Sequence, residues 1–205
     1  MSTRQDYIAM IDRLVGAEKL PLGTTDKVLA INSAIKTYSK HKPKRYSVDI
    51  TGSGADTFDY SLSSNFTYWS DGFSLVYDIE YPLDTTTEEV DLIPKHSYTI
   101  YESPSGKSLR FLVDRPLTTE TIRVWYSGLY FCTDDDCNID EFDEEAVQML
   151  AASVFCTMLA TVYAETQDNT ITADSVDHSN KAKEYSIRAR IYKQLYSEHI
   201  GVRVI

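Results

Sequence analysis

Residues 134–145 read DDDCNIDEFDEE, eight carboxylates in twelve positions with no basic residue among them. Carboxylates at that density suit a divalent cation, an acidic binding surface, or the entry to a helix. Register tests the cation. From Asp134 the odd positions run Asp134, Asp136, Asn138 and Asp140, and the twelfth is Glu145, close to an EF-hand loop. The sixth position of that loop is glycine, because the chain must turn sharply around the ion. Here it is Ile139, and the preceding TIRVWYSGLYF alternates like a strand where an EF-hand has a helix. A dedicated calcium loop is not expected, and casual cation binding at the surface stays open.

The residues downstream explain the run better. AVQMLAASVFCTMLATVYA, residues 146–164, is uncharged over nineteen positions. Acidic side chains before and within a first helical turn favour the positive end of the helix dipole. Asp140 or Asp143 is expected as the cap, with Glu144 or Glu145 in the first turn. The run is then a solvated helix entry. The apolar stretch is long enough to span a bilayer. Its Gln148, Ser153, Thr157 and Thr161, and the lack of Lys or Arg beside it, favour a central helix among other helices.

No catalytic constellation stands out. The chain has no G-x-S-x-G elbow, P-loop or G-x-G-x-x-G fingerprint. His41, His96, His178 and His199 are scattered without ligand spacing, and TGSGAD is a turn signal. Cys132 and Cys137 lack the CxxC spacing of a zinc site. With Cys156 they are expected as free thiols of a reducing cytoplasm. Neither an enzyme activity, a cofactor nor a resident metal is expected.

Charge is distributed by segment. Residues 1–45 carry nine basic side chains against four acids, and residues 46–131 five against thirteen. Residues 132–173 carry ten acids and no base, and residues 174–205 six bases against four acids. The net charge of −11 argues against a conventional nucleic-acid binder, which needs a basic footprint. Tyrosine is abundant, 15 against 7 Phe and 2 Trp, and suits surfaces that are half apolar and half wet. MSTRQDYIAMIDRL is charged throughout, unlike a signal peptide.

Periodicity divides the chain in three. In residues 1–43, TRQDYIAMIDRLV aligns Tyr7, Ile8, Ile11, Leu14 and Val15, and DKVLAINSAIKTYSKHK aligns Val28, Ile31, Ala34, Ile35 and Tyr38. Thr24 or Thr25 is the expected cap of the second helix and Pro43 its stop. Residues 44–131 hold six short β-branched and aromatic runs between turn signals, with ESPSGKS as a hairpin. Residues 132–205 hold the apolar helix, a polar link, and a last helix beginning near Asp174 or Ser175. That helix aligns Tyr185, Ala189, Tyr192 and Tyr196 and stops at Gly201 before the tail VRVI. The expected class is α+β: a four-helix-bundle-like core with an inserted antiparallel β module.

Two features point to contact with other molecules. The module is rich in aromatics, of which Tyr68, Trp69 and Phe73 are candidates for exposure; half must fill a small core. The tail Val202–Ile205 is apolar and β-prone, suited to a neighbour's sheet edge or to a disordered end.

The whole pattern resembles the head–tail adaptor (head completion, or connector) proteins of long-tailed bacteriophages. The residues carrying it are INSAIKTYSKHKPKRYSVDI, FDYSLSSNF, GFSLVYDIEYP, LRFLVDRPLTTETIRVWYSGLY and TQDNTITADSVDHSNKAKEYSIRARIYKQLY. The resemblance spans nearly the full chain and includes no catalytic motif. It implies a structural virion protein forming a ring, commonly of twelve copies, between the portal protein and a tail-side component, through which DNA passes. The last helix and tail would anchor on the portal through Tyr185, Tyr192, Tyr196, Ile200, Val202, Arg203, Val204 and Ile205. The β module departs from the family's plainer, mostly helical members. Asp134, Asp135, Asp136, Asp140, Glu141 and Asp143 would line the channel or a ring interface, since carboxylates repel phosphate. Lys181, Lys183, Arg188 and Arg190 would meet them across subunits. The virion's head–tail interface, after assembly in the host cytoplasm, is the implied location, with no membrane involved. The alternative is a monomeric carbohydrate- or protein-binding β module on a helical stalk.

Overall fold

The computed structural model describes the chain except residues 1, 17–19, 55–56, 84–85, 87–89, 105, 114–115, 117–119, 166–177 and 202–205, and describes only the backbone of 178–180. It is a mixed α+β protein in two compact units, Met1–Lys42 with Tyr130–Ile205, and Pro43–Leu129.

The first unit is helical. Helix α1, Arg4–Val15, starts with a capping box in which Thr3 and Asp6 satisfy each other's backbone amides. Helix α2, Thr24–His41, starts one residue earlier than a threonine cap would place it. Gly23 is the cap, and Asp26 accepts from the Gly23 N–H at 2.9 Å. The amphipathic faces of both helices point inward, burying Tyr7, Ile8, Ile11, Ala30, Ile31, Ala34, Ile35 and Tyr38. The uncharged stretch is helix α4, Glu144–Glu165, and the last helix is α5, His178–Ile200, its expected start near Asp174 or Ser175 lying outside the described residues; α3, Leu62–Asn65, belongs to the second unit.

Helix α4 is apolar on every side because α1, α2 and α5 all touch it. It is long and apolar enough to cross a membrane by length and composition. Here its Val147, Leu150, Phe155 and Leu159 are fully or almost fully covered by the chain itself. Small residues let α5 come close: Ser153 Oγ donates to the Ala189 carbonyl at 2.7 Å. Helix α5 also closes the end of α1, with Arg188 Nη1 donating to Val15 O at 2.9 Å and Tyr192 Oη to Leu14 O at 2.8 Å. These are last-turn carbonyls, which have no partner within their own helix.

The second unit holds two antiparallel three-stranded sheets. Strands β1 (Lys44–Thr51), β6 (Thr121–Gly128) and β3 (Val76–Glu80) form one, with β6 central. Strands β2 (Asp59–Ser61), β5 (Gly106–Phe111) and β4 (Tyr98–Ser103) form the other, with β5 central, and the short helix α3, Leu62–Asn65, follows β2 directly. The hairpin at ESPSGKS joins β4 to β5, with Ser103 opposite Gly106. The sheets share one core of Ile50, Tyr60, Leu62, Phe66, Ile79, Leu109, Phe111, Ile122, Val124 and Tyr126. Lys44 pairs with Gly128, so the chain enters and leaves the unit on neighbouring strands. Across that ladder Arg123 makes two hydrogen bonds to Asp49, at 2.7 and 2.8 Å, which hold the Asp49 carboxyl below its usual range.

Gly128 tests this packing. A Cβ there would stand 2.7 Å from both the Tyr46 ring and the Tyr68 carbonyl oxygen. The Tyr46 ring is itself stacked on Tyr68 and Tyr126, and its hydroxyl donates to Leu129 O at 3.0 Å. Gly128→Ala is expected to destabilise the unit by about 2 kcal/mol through overpacking. Both tryptophans, Trp69 and Trp125, lie in this unit, so their fluorescence in a urea titration reports its unfolding. An unchanged midpoint would show that the rings yield freely.

Candidate functional site

The residue where the acidic run becomes chemically specific is Asp143. It ends a 3-10 turn, Glu141–Asp143, directly before α4, and is 3% exposed. Its Oδ2 accepts from the Tyr38 hydroxyl and from Lys42 Nζ, both at 2.6 Å, and its Oδ1 accepts from His199 Nε2 at 3.1 Å. Tyr38 and Lys42 are four apart at the end of α2, so both point to one side. His199 comes from the last turn of α5. A second link runs parallel to the first, between His41 Nδ1 on α2 and the Tyr196 hydroxyl on α5, at 2.8 Å. Lys42 Nζ also reaches Asp140 at 3.1 Å, and the Tyr130 hydroxyl donates to Asp140 at 3.3 Å.

Electrostatics follow from these contacts. Burial alone pushes the Asp143 carboxyl up, and the hydrogen bonds from Lys42, Tyr38 and His199 overcome it, leaving it below the usual carboxylate range. Lys42 is raised, first by its bond to Asp143. Burial raises Tyr38 above the ordinary phenol range and carries Tyr196 up to about 12. A general base must offer its lone pair to a substrate proton. Asp143 has committed both oxygens to three donors of the chain itself, so the arrangement cross-links helices.

The remaining acids have separate fates. Asp134 pairs with Arg4 at 3.2 Å, and Glu144 accepts from Ser2. Asp135, Glu141 and Glu145 are exposed, with no ion pair among the described residues. Asp136 is half-buried, with one carboxylate oxygen lacking a hydrogen-bond partner among the described residues. Among the described residues no three His, Cys, Asp or Glu are grouped to hold a metal. The capping expectation needs correction: Asp140 makes no side-chain cap hydrogen bond, and Asp143 turns away from the helix end toward Tyr38, Lys42 and His199. As a wall residue Asp143 is likewise corrected, because it is buried.

The expectation of free thiols is overturned for Cys132 and Cys137, which form a disulfide. The segment between them doubles back: Asn138 N donates to Phe131 O at 3.1 Å, Phe131 N to Asn138 Oδ1 at 2.7 Å, and Thr133 N to Asp136 O at 2.7 Å. Five residues of separation are thereby folded into directly opposed positions. Cys156 is free and buried, its thiol pushed up to about 11 by burial, which makes it unreactive.

Helix α5 has three faces. Tyr185, Ala189 and Tyr196 face the core, so the side chains of Tyr185 and Tyr196 are held inside the chain and are not presented for anchoring. Tyr192 and Ile200 are half-buried, and Val202–Ile205 lie outside the described residues. Of the basic candidates, Arg188 is committed to Val15 and Glu184, and Lys181 lies over the Tyr163 ring. Lys183 and Arg190 are exposed; with Lys193 they edge a shallow groove floored by Ser153, Thr157, Ala160 and Ser186. A third face carries Ile187, Ile191 and Leu195, exposed at 50%, 49% and 39%. The i, i+4, i+8 spacing of these three was open to reading in the sequence and was missed, because the tyrosine face dominated it.

Of the candidate aromatics of the second unit, Tyr68 is exposed as expected, at 36%. Tyr68 stacks on Tyr46 at 4.5 Å and Trp69 meets Phe66 edge-on at 5.8 Å, while Trp69 and Phe73 are half-buried.

The pH dependence of the Asp143 links can be signed. A carboxyl depressed in the folded state contributes stability that is present above its ordinary value and lost as pH falls through the folded value. Asp143→Asn is expected to cost about 3 kcal/mol at neutral pH, because Lys42, Tyr38 and His199 lose a charged acceptor. The gap between variant and wild type should shrink on acidification below the carboxylate range. Helix unfolding in denaturant, followed by circular dichroism at several pH values, measures it, and a gap independent of pH would show that the charge contributes nothing. Scanned against models of protein families, the chain matches none, and a search of curated proteins finds no match.

Proposed function

We propose that this chain is a structural virion protein, an adaptor subunit that joins others in a ring between a phage portal and the tail, working by contact and without catalysis or cofactor. The observation that carries it is how unit one uses its polar groups. The buried cluster around Asp143 is consumed in tying α2, α4 and α5 together, whereas the exposed surface of this unit offers acids and bases without an ion pair among the described residues, and an apolar stripe. Such a surface suits assembly with other chains. The sequence resemblance along nearly the whole chain supplies the kind of assembly.

In this reading the ring continues the DNA channel. The exposed carboxylate of Asp135, with no ion pair among the described residues, keeps phosphate from sticking, because a wall without cations releases no counterions when DNA approaches. The end of the last helix at Ile200 and the tail Val202–Ile205 are the portal contact, and the β unit docks a tail-side component. The carbohydrate-binding alternative draws less support, since Tyr68 already stacks on Tyr46, Trp69 meets Phe66 edge-on, and Phe73 is half-buried.

Tagged protein recovered from cells making its natural partners is expected to bring down a portal protein and a tail-side component, identified by mass spectrometry. Recovery of a sugar or an unrelated receptor would sink the reading. Asp135→Lys, which puts a cation on the wall at an exposed position, should leave the fold intact and lower the yield of DNA-filled, infective particles.

A further inference from the structure

Phe142 is 80% exposed, the highest exposure among the large apolar residues of the described chain. Its ring lies against that of His199, centroids 5.0 Å apart, and it is flanked by Glu141 and Glu145, which have no ion pair among the described residues. It is an apolar knob inside an acidic collar. The α5 face has the opposite character. At about 100° per residue, Ile187, Ile191 and Leu195 cover roughly 80° of arc, with Arg190 and Lys183 about 40–60° to one side. His199, against which Phe142 lies, falls about 40° to the other side and roughly 24 Å of helix axis beyond Lys183. The knob therefore stands across the stripe from the basic row, away from its own Lys183 and Arg190.

We propose that the Phe142 knob of one copy seats on the Ile187–Ile191–Leu195 stripe of a second copy, with Glu141 and Glu145 meeting Lys183 and Arg190. This rests on the adaptor reading for its setting and names the ring contact. A second copy is the occupant because the stripe needs an apolar group bordered by carboxylates, and this chain carries one unused. Charge complementarity orients it: chains with a net charge of −11 repel unless acidic end meets basic end. The two patches differ, so the contact is heterologous and propagates head to tail until rotation closes it.

The test mixes isotope-labelled and unlabelled full-length protein and joins contacting carboxylates and amines with a zero-length carbodiimide. Mixed-isotope cross-links from Glu141 or Glu145 to Lys183 are expected. Phe142→Asp and Ile191→Asp should each weaken self-association about tenfold or more, read by sedimentation up to millimolar concentration. Both positions are exposed, and circular dichroism checks that the variants fold. Mixed together, the two variants should form a dimer and stop there, since one retains an intact stripe and the other an intact knob. Absence of mixed-isotope links, or self-association untouched by either substitution, overturns the proposal. Recovery of a portal without these links would overturn this contact and leave the adaptor reading standing. The links without any portal would do the reverse.

Discussion

Taking a carboxylate out of water costs several kcal/mol unless other donors replace its hydration. Asp143 is buried and fully supplied, and the supply comes from distant parts of the chain: Tyr38 and Lys42 at the end of α2, and His199 at the end of α5. The helical unit depends on this exchange. Hydrophobic contact is non-directional and would let α2 and α5 slide along α4. Three donors converging on two oxygens fix where both helices end relative to the start of α4. The His41–Tyr196 bond repeats the same α2–α5 pairing a turn away. Arg188 and Tyr192 fix the far end, where α5 supplies donors to the last carbonyls of α1.

That commitment sorts the charged residues of the unit. Asp143, Asp140, Asp134, Lys42, Arg4 and Arg188 are consumed inside it. Glu141, Glu145, Lys183 and Arg190 are left outside, and they are the groups a partner can address. Sequence neighbours divide in this way because a 3-10 turn rotates each residue by about 120°: Asp143 faces in, Glu141 and Phe142 face out.

How legible this was depends on the range of the interaction. The α+β class and helix α4 were readable, since nineteen uncharged residues and short alternating runs are local signals. The hairpin at Ser103–Gly106 was local too. Which of eight acids is buried was not, because Tyr38 and Lys42, some hundred residues upstream, decide it. The Cys132–Cys137 pair was misjudged for a different, local reason: spacing says nothing until the hydrogen bonds between Phe131 and Asn138 fold the segment back. The division of the β unit into two sheets, with β6 paired to both β1 and β3, rests on registers spanning roughly forty to eighty residues. The Ile187 stripe was legible and overlooked, since a helix with two apolar faces looks like a helix with one until burial separates them.

A chain this acidic has a constraint of its own. Copies approaching at random repel, so any assembly must bring its few unpaired bases against its acids at close range, inside the roughly 8 Å over which physiological salt leaves charges visible. The Asp143 cluster makes such a contact practicable. By fixing the last turn of α5 against the start of α4, it holds Phe142 and its glutamates at a constant place beside the stripe. A knob on a loose turn would lose ordering entropy each time it docked, on the order of 1–2 kcal/mol per residue fixed. A small contact cannot offset much of that. In the proposed contact the buried carboxylate thus sets the geometry that the surface charges use, and loosening it would weaken that contact even with every exposed residue unchanged.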